Sequence, residues 1–210
     1  TGILKVENAN GDILEEWKPT EFEEVLDPQI AFLINDILSD KGQAVGSRIF
    51  VSGKTNAAKT GTSTKSNKQE TGGSVRPSDG WVIGYTPTIV TGVWIGNTDG
   101  TGMSYNADGY TSAAGIWNTV MTKALSKLPN EPFPVPEGIK KISISKASGK
   151  LPSANTPQEF LTADYFASFA VPTEIEKSFV EVEIDKISGL LATEFTPEAA
   201  REKVIYQNLS

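Results

Sequence analysis

Two apolar runs, residues 81–86 and 89–96, lie almost back to back and restrict the fold more than any other feature of the chain. Both are rich in Val, Ile, Trp, Tyr and Thr, which suit a pleated surface, and each is too short for a helix. Pro87-Thr88 between them supplies a turn, so the pair reads as an antiparallel hairpin. Apolar content this continuous predicts central strands covered on both faces. A third strand is expected upstream, in Ala57-Ala58-Lys59-Thr60-Gly61-Thr62-Ser63. Successive strand residues alternate faces, so Thr60 and Thr62 share one side and neither blocks the approach to Gly61. A glycine weakens a strand unless another molecule must lie close to the backbone there. Lys59 heads this row of hydroxyl and N–H donors, which suits an anionic, peptide-like ligand.

The other elements follow from local signals. Residues 3–17 read as a hairpin turning at Asn10-Gly11. Asp27 and Pro28 are N-cap and first-turn signals for a helix over 28–39, with an apolar face of Ile30, Leu33, Ile34, Ile37 and Leu38. Residues 64–78 are polar and read as an exposed loop. A second helix is expected over 112–128, with Ile116, Trp117, Val120, Met121, Ala124 and Leu125 on one face. Pro129, Pro132, Pro134 and Pro136 form a stiff linker. Beyond it the chain repeats itself at an offset of 40 residues. Ile142 to Leu151 matches Val182 to Leu191, and Thr156-Pro157 matches Thr196-Pro197. Each copy reads as strand, Ser-Gly turn, strand, then a Thr-Pro start to a short helical run.

The expected class is therefore α+β. An antiparallel sheet holds the 3–17 hairpin and the three later strands, helices pack on it, and a small β-hairpin C-terminal extension follows. The division falls into residues 1–130 and 131–210. The net charge of −7 argues against nucleic acid as a partner, and the absence of histidine removes Ser-His-Asp and Cys-His catalysis and histidine metal sites. No cofactor or metal is implied. Gly46 and Gly53 stand too far apart for a phosphate loop, and Asn97 to Gly100 and Asn106 to Gly109 lack the acidic spacing of calcium loops.

Lys59-Thr60-Gly61-Thr62, followed by the 81–87 strand and Gly92-Val93-Trp94-Ile95-Gly96, resembles the penicillin-binding transpeptidases, most closely the bifunctional class A type. Lys-Thr-Gly is the third signature of the serine acyl-transfer enzymes that include the β-lactamases. The resemblance implies a D,D-transpeptidase that cross-links peptidoglycan stem peptides ending in D-Ala-D-Ala and also takes β-lactams. It implies that Lys59 organises proton transfer and that Thr60 and Thr62 bind the ligand carboxylate. Gly61 leaves the strand open for the substrate, and the Thr62 backbone N–H forms half of an oxyanion hole. The nucleophile's Ser-x-x-Lys and the Ser-x-Asn element would lie upstream of Thr1, with a glycosyltransferase domain and a membrane anchor, on the extracytoplasmic side of the bacterial membrane. On this reading the upstream part of the same protein is a partner and the chain alone is inactive. The alternatives are a D,D-carboxypeptidase or β-lactamase-like hydrolase, and a non-catalytic cell-wall binding module.

Three strings imitate the family's other signatures. Ser143-Ile144-Ser145-Lys146 falls in an alternating strand, where residues three apart face opposite ways. Ser153-Ala154-Asn155 lies in the first repeat, and the second carries Glu194-Phe195 at the matching place. Ser104-Tyr105-Asn106 sits in a glycine-rich loop. All three follow Lys-Thr-Gly, whereas the family places its elements before it.

Overall fold

The structure, a computed structural model, describes residues 2–18, 24–42, 46–66 and 75–208. The first hairpin pairs β1 (Lys5–Glu7) with β2 (Ile13–Glu16). Asn8 fixes its turn, its side-chain oxygen accepting the N–H groups of Asn10 and Asp12, both at 2.9 Å. Gly11 takes φ +86°, which glycine adopts without strain. This hairpin forms a two-stranded sheet of its own and does not join the central sheet as the sequence predicts. Turn chemistry is local and sets the hairpin. The neighbouring strand depends on apolar surface elsewhere, and Ile3, Leu4, Ile13, Leu14 and Trp17 are all exposed.

Helix α1 (Pro28–Ser39) has the expected bounds, with the Asp27 carboxylate accepting the Gln29 N–H at 2.7 Å. Its expected core face does not form as drawn. Phe32 is the buried residue, while Ile30, Ile34 and Ile37 are exposed.

The central sheet runs β3 (Ala57–Ser66), β4 (Val75–Tyr85), β5 (Val90–Gly96), antiparallel throughout, with β3 at one edge. The strands β3 and β4 take in both ends of the stretch expected to be a loop, and residues 67–74 of that stretch lie outside the described residues. Asn56, buried, fastens the approach to β3: its side chain accepts the Val51 N–H and donates to the Ile49 carbonyl, both at 2.9 Å.

Helix α2 (Ala114–Leu125) packs on one face of the sheet. It is led by a π-helical turn, Gly109–Ala113, so the helical run begins earlier than predicted. Ala114, Trp117, Met121 and Leu125 make its buried stripe, and Ile116 and Val120 of the expected face are exposed. Trp117 packs directly on the sheet because position 84 is glycine: a Cβ there would stand 2.3 Å from the indole. The indole N–H reaches the Thr91 carbonyl at 3.1 Å. Val82, Ala58, Ile49 and Val51 complete this core. The opposite face of β4 and β5 shows Trp81, Ile83, Val90 and Trp94 to solvent. Coverage on both faces, expected from the apolar runs, is thus not met among the described residues. Hydropathy reports the tendency of a face to be buried, and the covering layer must come from some other segment.

The proline linker is tied down. The Asn130 side chain accepts the Thr55 N–H at 2.6 Å, and the Phe133 ring meets Tyr85 edge-on at 5.7 Å. Two hairpins follow, β6 (Lys140–Ser145) with β7 (Leu161–Phe166), and β8 (Phe179–Asp185) with β9 (Arg201–Gln207). They form separate two-stranded sheets at the repeat offset, but the partner strand follows the Thr-Pro turn. The stretch after each Ser-Gly turn, expected as the second strand, contributes only a single bridge residue, Leu151 or Leu191. Their hydrogen bonds also repeat at the 40-residue offset. Ser145 N–H to Lys150 carbonyl matches Asp185 N–H to Leu190 carbonyl, both 2.8 Å. Lys146 N–H to Phe160 carbonyl matches Lys186 N–H to Ala200 carbonyl, at 2.8 and 2.9 Å. Gly149 and Gly189 take φ +72° and +71°. The first unit rests on α1 through Phe32 against Tyr165 (5.3 Å, edge-on) and the Ser168 N–H donated to Gln29 at 2.7 Å.

Candidate active site

The four expected site residues are consecutive on β3, at an edge with no strand on its free side among the described residues. They pair inward with β4: Lys59 with Ile83, Thr60 with Val82, Gly61 with Trp81, Thr62 with Gly80. Ala57 and Ala58, just before them, are almost wholly buried and anchor the strand. Lys59 is exposed, and its ammonium donates to the Thr60 carbonyl at 2.6 Å. Thr62 is exposed, with its hydroxyl oxygen accepting the Gly109 N–H at 3.1 Å. That contact leaves the hydroxyl proton free to donate to a ligand.

Gly109 is a residue that the sequence alone did not mark. A Cβ at this position would lie 2.5 Å from both the Gly61 and Trp81 carbonyl oxygens. The chain entering α2 therefore presses directly on the backbone of β3 and β4 beneath the threonine row. Asp108 holds the turn in place, accepting the Thr111 N–H at 2.7 Å while its own N–H reaches the Thr111 hydroxyl at 3.1 Å. Position 61 differs: a Cβ there would meet Trp81 Cβ at 3.5 Å, an ordinary contact. The chain's own packing does not demand glycine at 61, so its absent side chain leaves surface for something else.

Past the threonines lies a second polar group that sequence reading passed over. The hydroxyls of Ser63 and Ser78 meet at 2.9 Å, both reach one oxygen of Asp79, and the Trp94 indole N–H reaches the other at 3.0 Å. The alternation of β4 brings Ser78 beneath β3, and the bulge between Ser63 and Thr64 permits it. The loop before Gly109 closes the same end, with the Met103 N–H on the Pro77 carbonyl at 2.7 Å and the Tyr105 ring against Arg76. The strip is thus a cationic, hydroxyl-rich edge with a rigid floor. It can accept an extended anionic peptide by strand addition.

Of the three imitating strings, only Ser104-Tyr105-Asn106 comes near, in the loop that closes this end, and the other two lie in the tail. Ser143 lies in β6 opposite Ala163, and the Lys146 ammonium goes to the Glu159 carbonyl at 3.0 Å. Ser153 belongs to a local turn with Thr156. A cavity of about 550 Å³ between α1 and the first tail unit is lined by Asp36, Asp40, Lys54, Lys141 and Asp164, with none of residues 59–62. Burial first, then the Asp164 and Asp40 charges, raise the Asp36 carboxyl there. Among the described residues no group of side chains suits a metal ion, and no helix is long and apolar enough to cross a membrane.

Residues 5–122 match a family model described as the penicillin binding protein transpeptidase domain, and residues 135–181 match one described as penicillin-binding protein 1A, C-terminal domain. Penicillin-binding protein 1A of Clostridium novyi (strain NT) is 30% identical over 212 residues, covering 96% of this chain and 22% of that protein. Its counterpart in Clostridium botulinum (strain Langeland) is 29% identical over 214 residues, covering 96% and 24%. The chain therefore spans under a quarter of the length of these curated relatives. Among solved structures, penicillin-binding protein 1A from Haemophilus influenzae shares the fold with a TM-score of 0.57 at 20% identity, covering 83% of this chain and 30% of that one.

Proposed function

Because the chain belongs to the penicillin-binding protein transpeptidase family, we propose that it is the C-terminal part of a serine D,D-transpeptidase domain whose substrate strip is Lys59-Thr60-Gly61-Thr62. The observation that carries this is the strip's position on a sheet edge that no other strand of the described residues occupies, with the Thr62 hydroxyl oriented by the Gly109 N–H. A stem peptide ending in D-Ala-D-Ala, or a β-lactam in its place, lies along this edge. Its carboxylate meets the hydroxyls of Thr60 and Thr62. The Lys59 ammonium supplies positive potential and orders the hydroxyls that move protons. The Thr62 N–H gives one of the two donors for the oxyanion that forms when a serine attacks the carbonyl.

That serine and its Ser-x-x-Lys and Ser-x-Asn partners belong to a part of the protein upstream of residue 1, as do a glycosyltransferase domain and a membrane anchor. The acyl-enzyme formed there passes its acyl group to an amine of a neighbouring stem peptide. The enzyme works on the extracytoplasmic side of the bacterial membrane. The two divisions of the chain, 1–130 and 131–210, carry the site and an accessory extension.

Covalent labelling by a fluorescent penicillin tests this. The full-length protein should take the label at one serine outside residues 1–210, and the 210-residue chain alone should take none. Labelling of the isolated chain, or none of the folded full-length protein, would overturn the reading, the second result leaving a non-catalytic wall-binding module. Release of the label by water faster than by an amine acceptor would favour a carboxypeptidase or β-lactamase-like hydrolase.

A further inference from the structure

One carboxylate ties together all three strands of the central sheet at the end of the substrate strip. Asp79 of β4 accepts the Ser63 hydroxyl from β3 and the Ser78 hydroxyl from β4 on one oxygen, the latter at 2.9 Å. Its other oxygen accepts the Trp94 indole N–H from β5 at 3.0 Å. Gly96 is the residue of β5 opposite Asp79, and the Trp94 ring folds back over it. A Cβ at 96 would lie 2.5 Å from the indole and 3.0 Å from the Ser78 carbonyl, so glycine there lets the ring reach the carboxylate.

This pin sits where the main-chain ladder is interrupted. Ser63 opposes Asp79 and Thr64 opposes Pro77, which leaves Ser78 as the extra residue of a bulge. Pro77 has no N–H to give to β3. Ser78 is buried, and its hydroxyl also meets that of Ser63 at 2.9 Å. Side-chain bonds therefore hold the strand where the backbone holds it least. Among the described residues β3 pairs on one side only, and a strand held by one ladder can roll about its own axis. Two anchors on adjacent residues oppose that roll, because consecutive side chains point to opposite faces. Thr62 is held from the turn that leads α2, its hydroxyl accepting the Gly109 N–H at 3.1 Å, and Ser63 is held from the other face by Asp79.

We infer that Asp79 is a positioning residue for acyl transfer. Without touching the substrate, it fixes the roll of β3 and so the direction of the Thr62 N–H. This rests on the reading of that N–H as an oxyanion donor. Such a donor works at about 2.7–3.1 Å from the oxyanion, and a misplacement of about 1 Å can cost roughly a hundredfold in rate. Losing the pin leaves the ladder from Lys59 to Thr62 paired, so the expected loss is smaller, about tenfold.

The full-length protein, acylated by a penicillin, tests this through two readouts. One is the rate constant of the acylation step, separated from the dissociation constant of the penicillin. The other is the infrared stretch of the acyl-enzyme ester carbonyl, which lies in the oxyanion hole and rises in frequency when the hole weakens. Asp79→Ala, and Ser63→Ala at an exposed position, should each slow the acylation step about tenfold, raise the stretch and leave the dissociation constant within about twofold. Asp79→Asn can still accept the indole N–H and donate to a serine oxygen, so it should recover most of the rate. Ile49→Val, a core change away from the strip, should lower the Tm and move neither readout. Unchanged rate and stretch in either folded alanine variant overturns the inference. So does a slower rate with an unmoved stretch, or the same slowing in Ile49→Val, since either marks a merely structural role. A rate in Asp79→Asn as low as in Asp79→Ala also overturns it, by assigning the effect to charge. A folded wild-type protein that takes no penicillin label overturns the transpeptidase reading, and this inference with it.

Discussion

Gly109 packs against the Gly61 carbonyl at the β3 edge, and exchanging each glycine for alanine should separate substrate access from packing. At 109 the new Cβ would stand 2.5 Å from two backbone carbonyl oxygens, well inside contact distance, and neither can swing aside as a side chain would. The π-helical turn must lift, and overpacking of this kind costs about 1–3 kcal/mol. The lift also removes the 3.1 Å bond from the Gly109 N–H to the Thr62 hydroxyl, worth about 1 kcal/mol net. Gly109→Ala should therefore lose about 2–4 kcal/mol, which is roughly 4–16 °C in Tm for a chain of this size. At 61 the Cβ meets Trp81 Cβ at 3.5 Å, and Gly61 is not among the positive-φ glycines. Gly61→Ala should leave the Tm unchanged or raise it slightly, since alanine reduces the freedom of the unfolded chain by about 0.4–1 kcal/mol. Its methyl nevertheless occupies the surface where the substrate backbone must lie, so acylation should fall roughly tenfold or more, about 1.4 kcal/mol in the barrier. The assays are calorimetric melting of the 210-residue chain and the second-order rate of penicillin acylation in the full-length protein. Normal acylation in Gly61→Ala would refute strand addition at this edge. An undisturbed Tm in Gly109→Ala would refute the packing argument.

Four further changes probe the rest of the molecule. In the full-length protein Lys59→Ala should slow acylation about a hundredfold, on the order of 3 kcal/mol for one donor of a preorganised site, with an unchanged circular dichroism spectrum. Thr60→Val should weaken carboxylate recognition at equal stability, read as the same rate constant measured with a penicillin and with its carboxyl ester. The Ser148 hydroxyl, then the Ser178 N–H and hydroxyl, pull the Glu176 carboxyl from the usual 4.5 down to about 2. A depressed carboxyl stabilises the folded state above its unfolded pKa, so the first tail unit should lose stability as pH falls from 4.5 towards 2. Glu176→Gln should abolish that dependence, followed by the exchange rate of the Leu151 amide against pH. Deletion of residues 131–210 from the full-length protein should leave penicillin acylation intact, and its loss in a folded product would place the extension within the site.

Local chemistry made much of this molecule legible. The Asp27-Pro28 cap set the start of α1, Asn8 and Gly11 set the first turn, and short, near-continuous apolar runs around a Pro87-Thr88 turn set β5 and the second half of β4. The 40-residue offset announced two like hairpins before any coordinate, because equal residues at equal spacing make equal turns. Lys59-Thr60-Gly61-Thr62 was visible as a candidate because hydroxyl, glycine and cation at strand spacing have few structural uses. What stayed hidden depends on surfaces meeting across long stretches of chain. Apolar pattern said that Ile34, Ile37, Trp81 and Trp94 tend towards burial, yet these residues are exposed, since burial needs a partner that a pattern cannot name. The free edge of β3 follows from strand order, a property of the assembled sheet. Gly109, 47 positions from Thr62, reads in sequence as one more loop glycine. Only the close approach of the π-helical turn to two carbonyl oxygens makes its missing Cβ a requirement, because excluded volume is set by what folds against a residue and not by the residue itself.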